Sequence, residues 1–286
     1  MSDNIVEIVE FTDPVCTWCW GSEPVLRALK ARYGNQLEIS FVMGGLVEDI
    51  RTFEDVDNSI GGGPTEVNKQ IAGHWLEASS HHGMPVTTDP LQLFSEEDIS
   101  SYPQCIAYKA AQFESQTLAD IYLRRIREAT AVEARQTNRR EVLLALAKEV
   151  GLDTDRFLTH FNDGSAEAAF QEDLAQTRAY DVQLFPTWLI RYKGKQTLMD
   201  NYHSVDDFRS AIEQLSQGEV KETHLEAGED ALMEFIRTYR NVALQEVMLA
   251  FELTEQQALN VVKTLETKRL VKVRPAGNGL FIEEQE

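Results

Sequence analysis

Cysteine is scarce in this chain: 3 residues in 286, Cys16, Cys19 and Cys105. So small and odd a number does not suit a framework of structural disulfides, so the fold must rest on a hydrophobic core. No apolar run reaches the roughly 18 residues that a membrane-spanning helix requires. Positive charge is short as well, with 27 Lys and Arg against 47 Asp and Glu and a formal net charge of −20. That balance argues against phosphate-backbone binding as the main activity. Metal-ligand spacing is missing too. The Cys-x-x-Cys at 16–19 would need two further Cys or His to make a zinc site, and neither Cys105 nor the adjacent pair His81-His82 supplies them. Gly61-Gly62-Gly63 runs into Pro64 rather than Lys-Ser/Thr, so it reads as a connector and not a phosphate loop. No cofactor and no metal is expected. A basic-then-apolar leader does not fit between Met1 and the first strand, so the expectation is a cytoplasmic protein whose thiols are kept reduced.

What the chain does have is a core-forming composition, 43% hydrophobic and 26% charged, and a length with room for more than one domain. Its most informative stretch is Asp13-Pro14-Val15-Cys16-Thr17-Trp18-Cys19-Trp20. An apolar run, Ile5 to Phe11, precedes it and an amphipathic stretch, Glu23 to Tyr33, follows, which reads as strand, tight Cys-x-x-Cys, helix. Cys16 then lies at a helix N-terminus, where free backbone N–H groups and the positive dipole end favour a thiolate. Cysteines so placed have pKa values lowered to roughly 3.5–7.5. Cys19, a turn later, reaches the same sulfur from a more buried position. One cysteine is set to attack and the other to resolve, which is redox chemistry.

Period-2 alternation puts Val6, Ile8 and Glu10 on one face of the first strand. Glu10 reads either as a surface strand end or as a buried carboxyl of raised pKa that exchanges a proton with Cys19. The first helix is expected from Ser22, as N-cap, to Tyr33, stopped by Gly34, and Leu37 to Met43 makes a second strand parallel to the first. Residues 65–180 are almost wholly helical in pattern, with Val67–Ser79, Tyr102–Phe113, Leu118–Thr130, Arg139–Val150, Asp153–Phe161 and Ala166–Tyr180 as the candidates. Cys105, at a helix start, reads as a buried small hydrophobe. Strand pattern returns in Leu184-Phe185-Pro186-Thr187-Trp188-Leu189-Ile190, where a proline is compatible with a strand if it opens the strand in the cis form. A hairpin through Gly194 and a helix from Val205 to Leu215 follow. The order βαβ, helical block, ββα is an α/β thioredoxin fold interrupted by an all-helical insertion.

These residues resemble the DsbA family of thioredoxin-fold thiol–disulfide oxidoreductases, and within it the FrnE-like branch of dithiol–disulfide isomerases. The resemblance is carried by Asp13-Pro14-x-Cys16-x-Trp18-Cys19-Trp20-Gly21, by Phe185-Pro186-Thr187 and by the insertion between them, over roughly residues 4 to 217. It implies Cys16 as nucleophile, Cys19 as resolving thiol, Glu10 as the buried acid and Pro186 as the cis proline facing Cys16. It also implies Phe185 and Thr187 beside an extended substrate strand. Trp18 would shape an apolar lip, while Trp20 reads either as part of that lip or as core facing the insertion. Ser101-x-Pro-x-Cys105 matches a helix start in the family. Secreted relatives oxidise folding proteins; without an export signal, reduction or isomerisation is the expected direction.

After a Gly/Glu-rich linker, 218–228, the chain ends in a small unit. Asp230–Tyr239, Ala243–Ala250 and Thr254–Leu270 read as helices, and Leu270–Pro275 with Leu280–Glu284 as a hairpin, which together resemble a winged helix-turn-helix. Lys263, Lys268, Arg269, Lys272 and Arg274 are interleaved with Glu255, Glu266 and Glu283, not gathered into a basic stripe, so protein docking is expected in preference to DNA. The domain reading is therefore 1–63 with 181–217, a helical insertion 64–180, the linker, and 229–286. The functional reading is a cytoplasmic thiol–disulfide oxidoreductase acting on a protein or small-molecule disulfide, with an unassigned reductant and a second copy of the chain as a candidate partner. The alternatives are a non-catalytic DsbA-like adaptor that presents a client to a protease, as Spx-adaptor relatives do, and a redox-sensing regulator whose winged helix binds DNA.

Overall fold

The strand β1 (Val6–Thr12) lies at the centre of a four-stranded sheet in a computed structural model that describes residues 4–285. Residues 1–3, read above as leading straight into the first strand, and Glu286, the end of the terminal unit, lie outside the described residues. The sheet runs in the order β2 (Leu37–Met43), β1, β3 (Thr187–Tyr192), β4 (Lys195–Asp200). β1 pairs with β2 in parallel, Val6 opposite Leu37 and Thr12 opposite Met43, and with β3 antiparallel, Ile8 opposite Ile190 and Glu10 opposite Trp188. A central strand needs apolar side chains on both faces. Val6 and Ile8 accordingly pack under α1 (Thr17–Tyr33), while Val9 and Phe11 pack with Val42 and Leu189 on the other face. The thioredoxin-type order expected from the sequence is the one observed.

The helix after the cysteines begins earlier than its residues suggest. Cys16, not Ser22, is the N-cap of α1, and Gly21, Ser22 and Pro24 all lie inside the helix. A side chain at Gly21 would sit 2.3 Å from the His82 ring, so the missing Cβ is what lets α2 (Pro64–His82) lie against the first turns of α1. Beyond a long irregular segment come α3 (Tyr102–Gln112), α4 (Gln116–Ala131), α5 (Arg140–Glu149), α6 (Thr154–Asn162) and α7 (Ser165–Ala179). α3 to α7 share one aromatic-rich core around Tyr108, Tyr122, Phe157 and Phe170. α2 belongs elsewhere. Its Val67, Ile71 and Trp75 pack with Val15, Trp20, Val47 and Ile50, roofing the cysteine motif together with residues 46–60. The insertion is thus two packing layers, not one block.

α8 (Val205–Ser216) completes the sheet's cover, its start closed by a Ser204–Asp207 capping box. The terminal unit holds α9 (Glu229–Tyr239), β5 (Asn241–Ala243), α10 (Leu244–Phe251), α11 (Glu255–Thr267), β6 (Val271–Ala276) and β7 (Gly279–Glu284), its strands ordered β5-β7-β6. β5 was not expected; three residues are too few to show a period. The apolar cluster under α1 continues without a break into this unit through Phe235, Ile236, Val247 and Phe251. The stretch read as a linker is itself tied down, with Val220 buried and the Thr223 N–H donating to Arg32 O at 2.8 Å. The hairpin turn is tied down as well. Asn278 accepts from the Val86 N–H at 2.8 Å, donates its own N–H to Val86 O at 3.0 Å and reaches Ser79 Oγ at 3.0 Å. The tip of this hairpin is thus packed against residues 79–86 and not free in solvent. Among the described residues no helix is long and apolar enough to cross a membrane.

Candidate functional site

Strand β1 ends at Thr12, and the turn that follows is held by one buried carboxylate. Asp13 accepts from the backbone N–H of Val15 at 3.0 Å and of Leu46 at 2.7 Å, from Ser101 Oγ at 2.8 Å and from the Cys105 thiol at 3.5 Å. This explains the Ser101-x-Pro-x-Cys105 helix start: its two polar side chains fasten α3 to the turn ahead of the cysteines. Burial lifts the Cys105 thiol well above its ordinary range, so it stays protonated and donating.

The turn delivers Cys16 to the helix N-terminus. Its Sγ accepts the Cys19 backbone N–H at 3.2 Å and lies 3.4 Å from the carbonyl oxygen of Phe185. All three cysteines are free thiols, and Cys19 is fully buried where Cys16 is 6% exposed. Burial drives the Cys19 thiol well above its usual range, helped by Cys16 and by the charge of Glu10. The Phe185–Pro186 peptide bond is cis. A Cβ at Gly44 would meet the Phe185 ring at 2.1 Å, so that glycine makes the seat on which Phe185 approaches the sulfur. The residues that sequence reasoning grouped as Cys16, Cys19, Phe185 and Pro186 are brought together.

Trp18 also lies at the site, its ring 5.8 Å from those of both His82 and Tyr202 and 6.3 Å from that of His74. Trp20 does not form a lip. It is buried, donates its indole N–H to Pro85 O at 2.9 Å and carries the Arg124 guanidinium 4.4 Å over its ring. Thr187 is equally withdrawn: fully buried, its hydroxyl donates to Leu184 O at 2.7 Å and braces the turn instead of facing substrate. Trp20 lies two positions beyond Trp18 on α1, on the opposite side of the helix, and so takes the core reading offered above.

Beside Cys16 opens a pocket of about 630 Å³ lined by Cys16, Trp18, Leu46, Ile50, Phe53 and Phe185 among others, with His74 and Trp75 of α2. Sequence reasoning missed it because its roof is the irregular segment 46–60, which carries no periodicity.

Glu10 lies beneath the cysteines, wholly buried. One of its oxygens accepts from Thr12 Oγ1 at 2.9 Å and from Arg127 Nη2 at 3.3 Å; the other has no hydrogen-bond partner. Burial raises its pKa to about 7, against the lowering pull of Arg127. Arg127, wholly buried on α4, leans to Glu23 at 2.6 Å and also bonds Thr12. Burial pushes Glu23 upward too, but Arg127, Arg124 and Arg27 together outweigh it and hold its carboxyl below the ordinary range. Arg124 continues the chain to Glu128 at 2.9 Å and Glu246 at 2.8 Å, and Arg27 meets Glu246 at 2.8 Å. Two carboxyls on one arginine are thereby driven apart, Glu23 charged and Glu10 able to carry a proton near neutrality.

This fixes a pH response. The folded state keeps the Glu10 proton up to about pH 7, whereas the unfolded carboxyl loses it near 4.5. Glu10's contribution is therefore full below pH 4.5 and is lost as pH rises through 7, with a total of about 3 kcal/mol. Urea unfolding between pH 4.5 and 8 is expected to show this falling slope in the native chain and a flatter one in Glu10→Gln; equal slopes would remove Glu10 as the source.

A family model described as thioredoxin matches residues 10–210. The ClpXP adapter protein SpxH of Shouchella clausii is 27% identical over 276 residues, covering 96% of this chain and 87% of its own. The ClpXP adapter protein SpxH of Bacillus subtilis is 25% identical over 286 residues, covering 96% and 88%. Among solved structures, the cytosolic disulfide reductase DsbM from Pseudomonas aeruginosa superposes with a TM-score of 0.59 at 24% identity, over 74% of this chain and 98% of that one.

Proposed function

The chain belongs to the thioredoxin family, and we propose that within it the chain is a DsbA-like, FrnE-type thiol–disulfide oxidoreductase. The observation that carries this reading is the position of Cys16 Sγ, between the Cys19 N–H and the Phe185 carbonyl at the mouth of a pocket. In the mechanism, the Cys16 thiolate attacks one sulfur of a substrate disulfide, a Cys16–substrate bond forms, and the other substrate sulfur leaves as a thiolate that takes a proton from solvent. Cys19 then gives up its proton and attacks Cys16 Sγ. The enzyme ends as a Cys16–Cys19 disulfide, two electrons poorer, and the substrate as a dithiol. Burial makes that proton hard to remove from Cys19, and ionised Glu10 is the base within the same buried cluster. Phe185 offers its backbone to an extended substrate strand beside Pro186. In a cytoplasmic setting, where thiols are kept reduced, a cellular thiol returns the electrons and the net direction is reduction or isomerisation.

The test is a Cys19→Ser chain exposed to disulfide-containing protein. The expected result is a mixed disulfide at Cys16 that accumulates and is released by dithiothreitol, with none formed when Cys16 is also replaced. Absence of the adduct would sink the proposal. A second reading, a client-presenting adaptor, is favoured by one observation: the relatives named ClpXP adapters match over 96% of this chain, terminal unit included.

A further inference from the structure

The pocket beside Cys16 is chemically lopsided. Its interior is apolar, with Ile50, Ile60, Ile71, Trp75 and Phe94 packed as one cluster. Its lining includes three carboxylates, Glu54, Asp55 and Asp57, and no lysine or arginine. Arg51, the neighbouring cation on the same loop, is already bonded to Asp49. Two large apolar side chains among the lining residues point to solvent, Val56 at 82% exposure and Leu184 at 48%. Exposed apolar groups beside a hydrophobic cleft mark a contact surface, and an uncompensated acidic rim selects the charge of what is contacted.

Resting on the exchange reading above, we infer that this cleft recognises a cysteine in a polypeptide segment with bulky apolar neighbours and flanking lysine or arginine. The apolar neighbours enter the pocket and the basic flanks meet Glu54 and Asp57. Anionic low-mass thiols and acidic segments are turned away by the same carboxylates. A volume of about 630 Å³ is ample for two or three side chains and more than a single small thiol would fill.

The experiment uses the reduced full chain and two fluorescent peptides that share a Leu-Cys-Phe core, one flanked by lysines and one by glutamates. With the cysteine S-methylated, anisotropy reads recognition without chemistry. With the same cysteine held as a mixed disulfide to thionitrobenzoate, release of the coloured thiol reads exchange. The lysine-flanked peptide is expected to bind about ten-fold tighter or more at low ionic strength, the difference shrinking as salt screens the rim. In Glu54→Gln/Asp57→Asn the preference should fall to near parity; Asp55 is left intact because it also holds Asn58. Equal affinities, a glutamate preference, or a lysine preference that survives both substitutions would overturn the inference. The two failures separate cleanly. Coloured thiol released from neither peptide removes the exchange reading while anisotropy still decides recognition, and release at equal rates with equal affinities removes the recognition while exchange stands.

Discussion

Arg127→Leu is expected to cost about 3–5 kcal/mol of unfolding free energy, the range found when one member of a buried ion pair is removed and its partners remain. Arg127 is wholly buried and is the shared partner of Glu10 and Glu23, so its loss strands two carboxyls in the interior of the molecule. Glu23 retains a contact with Arg124 at 3.4 Å; Glu10 keeps only the Thr12 hydroxyl. The expected escape is protonation of Glu10, so the loss should be smaller at pH 5 than at pH 8, and adding Glu10→Gln should recover part of it at the higher pH. Guanidinium unfolding followed by tryptophan fluorescence measures all of this. A cost below about 1 kcal/mol at pH 8 would mean that water or a rearranged Arg124 replaces the lost cation.

Cys16→Ser is expected to lower disulfide turnover by on the order of a thousand-fold or more, the scale on which loss of a covalent nucleophile is felt. Serine nearly matches the thiol in shape and can accept the same Cys19 N–H, so stability should change by about 1 kcal/mol or less. That separation of chemistry from fold makes the variant decisive between the two readings. An oxidoreductase loses insulin reduction and any covalent client. An adaptor keeps its client affinity and its delivery to a protease in Cys16→Ser, because neither needs a sulfur–sulfur bond. Unchanged delivery with no measurable exchange in the native chain would establish the adaptor and end the enzyme proposal.

The sheet, the cysteine turn and the terminal hairpin were legible because each leaves a local mark: period-2 alternation in Val6–Phe11, Asp13-Pro14 before Cys16, and Ala276-Gly277-Asn278-Gly279 between the two last strands. What stayed hidden is set by long-range packing. Gly21, Ser22 and Pro24 argue against helix by intrinsic preference, yet contact with His82 and a ready N-cap at Cys16 override them. Nothing in the sequence singles out Arg124, Arg127, Arg27 and Glu246, since arginine and glutamate are seldom fully buried. Their burial follows only when α1, α4 and α10, far apart along the chain, converge behind the cysteines. Glu10 was half legible: its position on the first strand left a surface end and a buried acid both open, and only the family resemblance favoured the second.

The grip of Asn278 on Ser79 and Val86 closes a loop of causes. Next to Val86 is Pro85, whose carbonyl holds the Trp20 indole, and Trp20 adjoins Cys19. The turn at 277–278 therefore buttresses the helix that carries the cysteine pair. A version shortened after residue 217 would retain both sulfurs yet lose this brace.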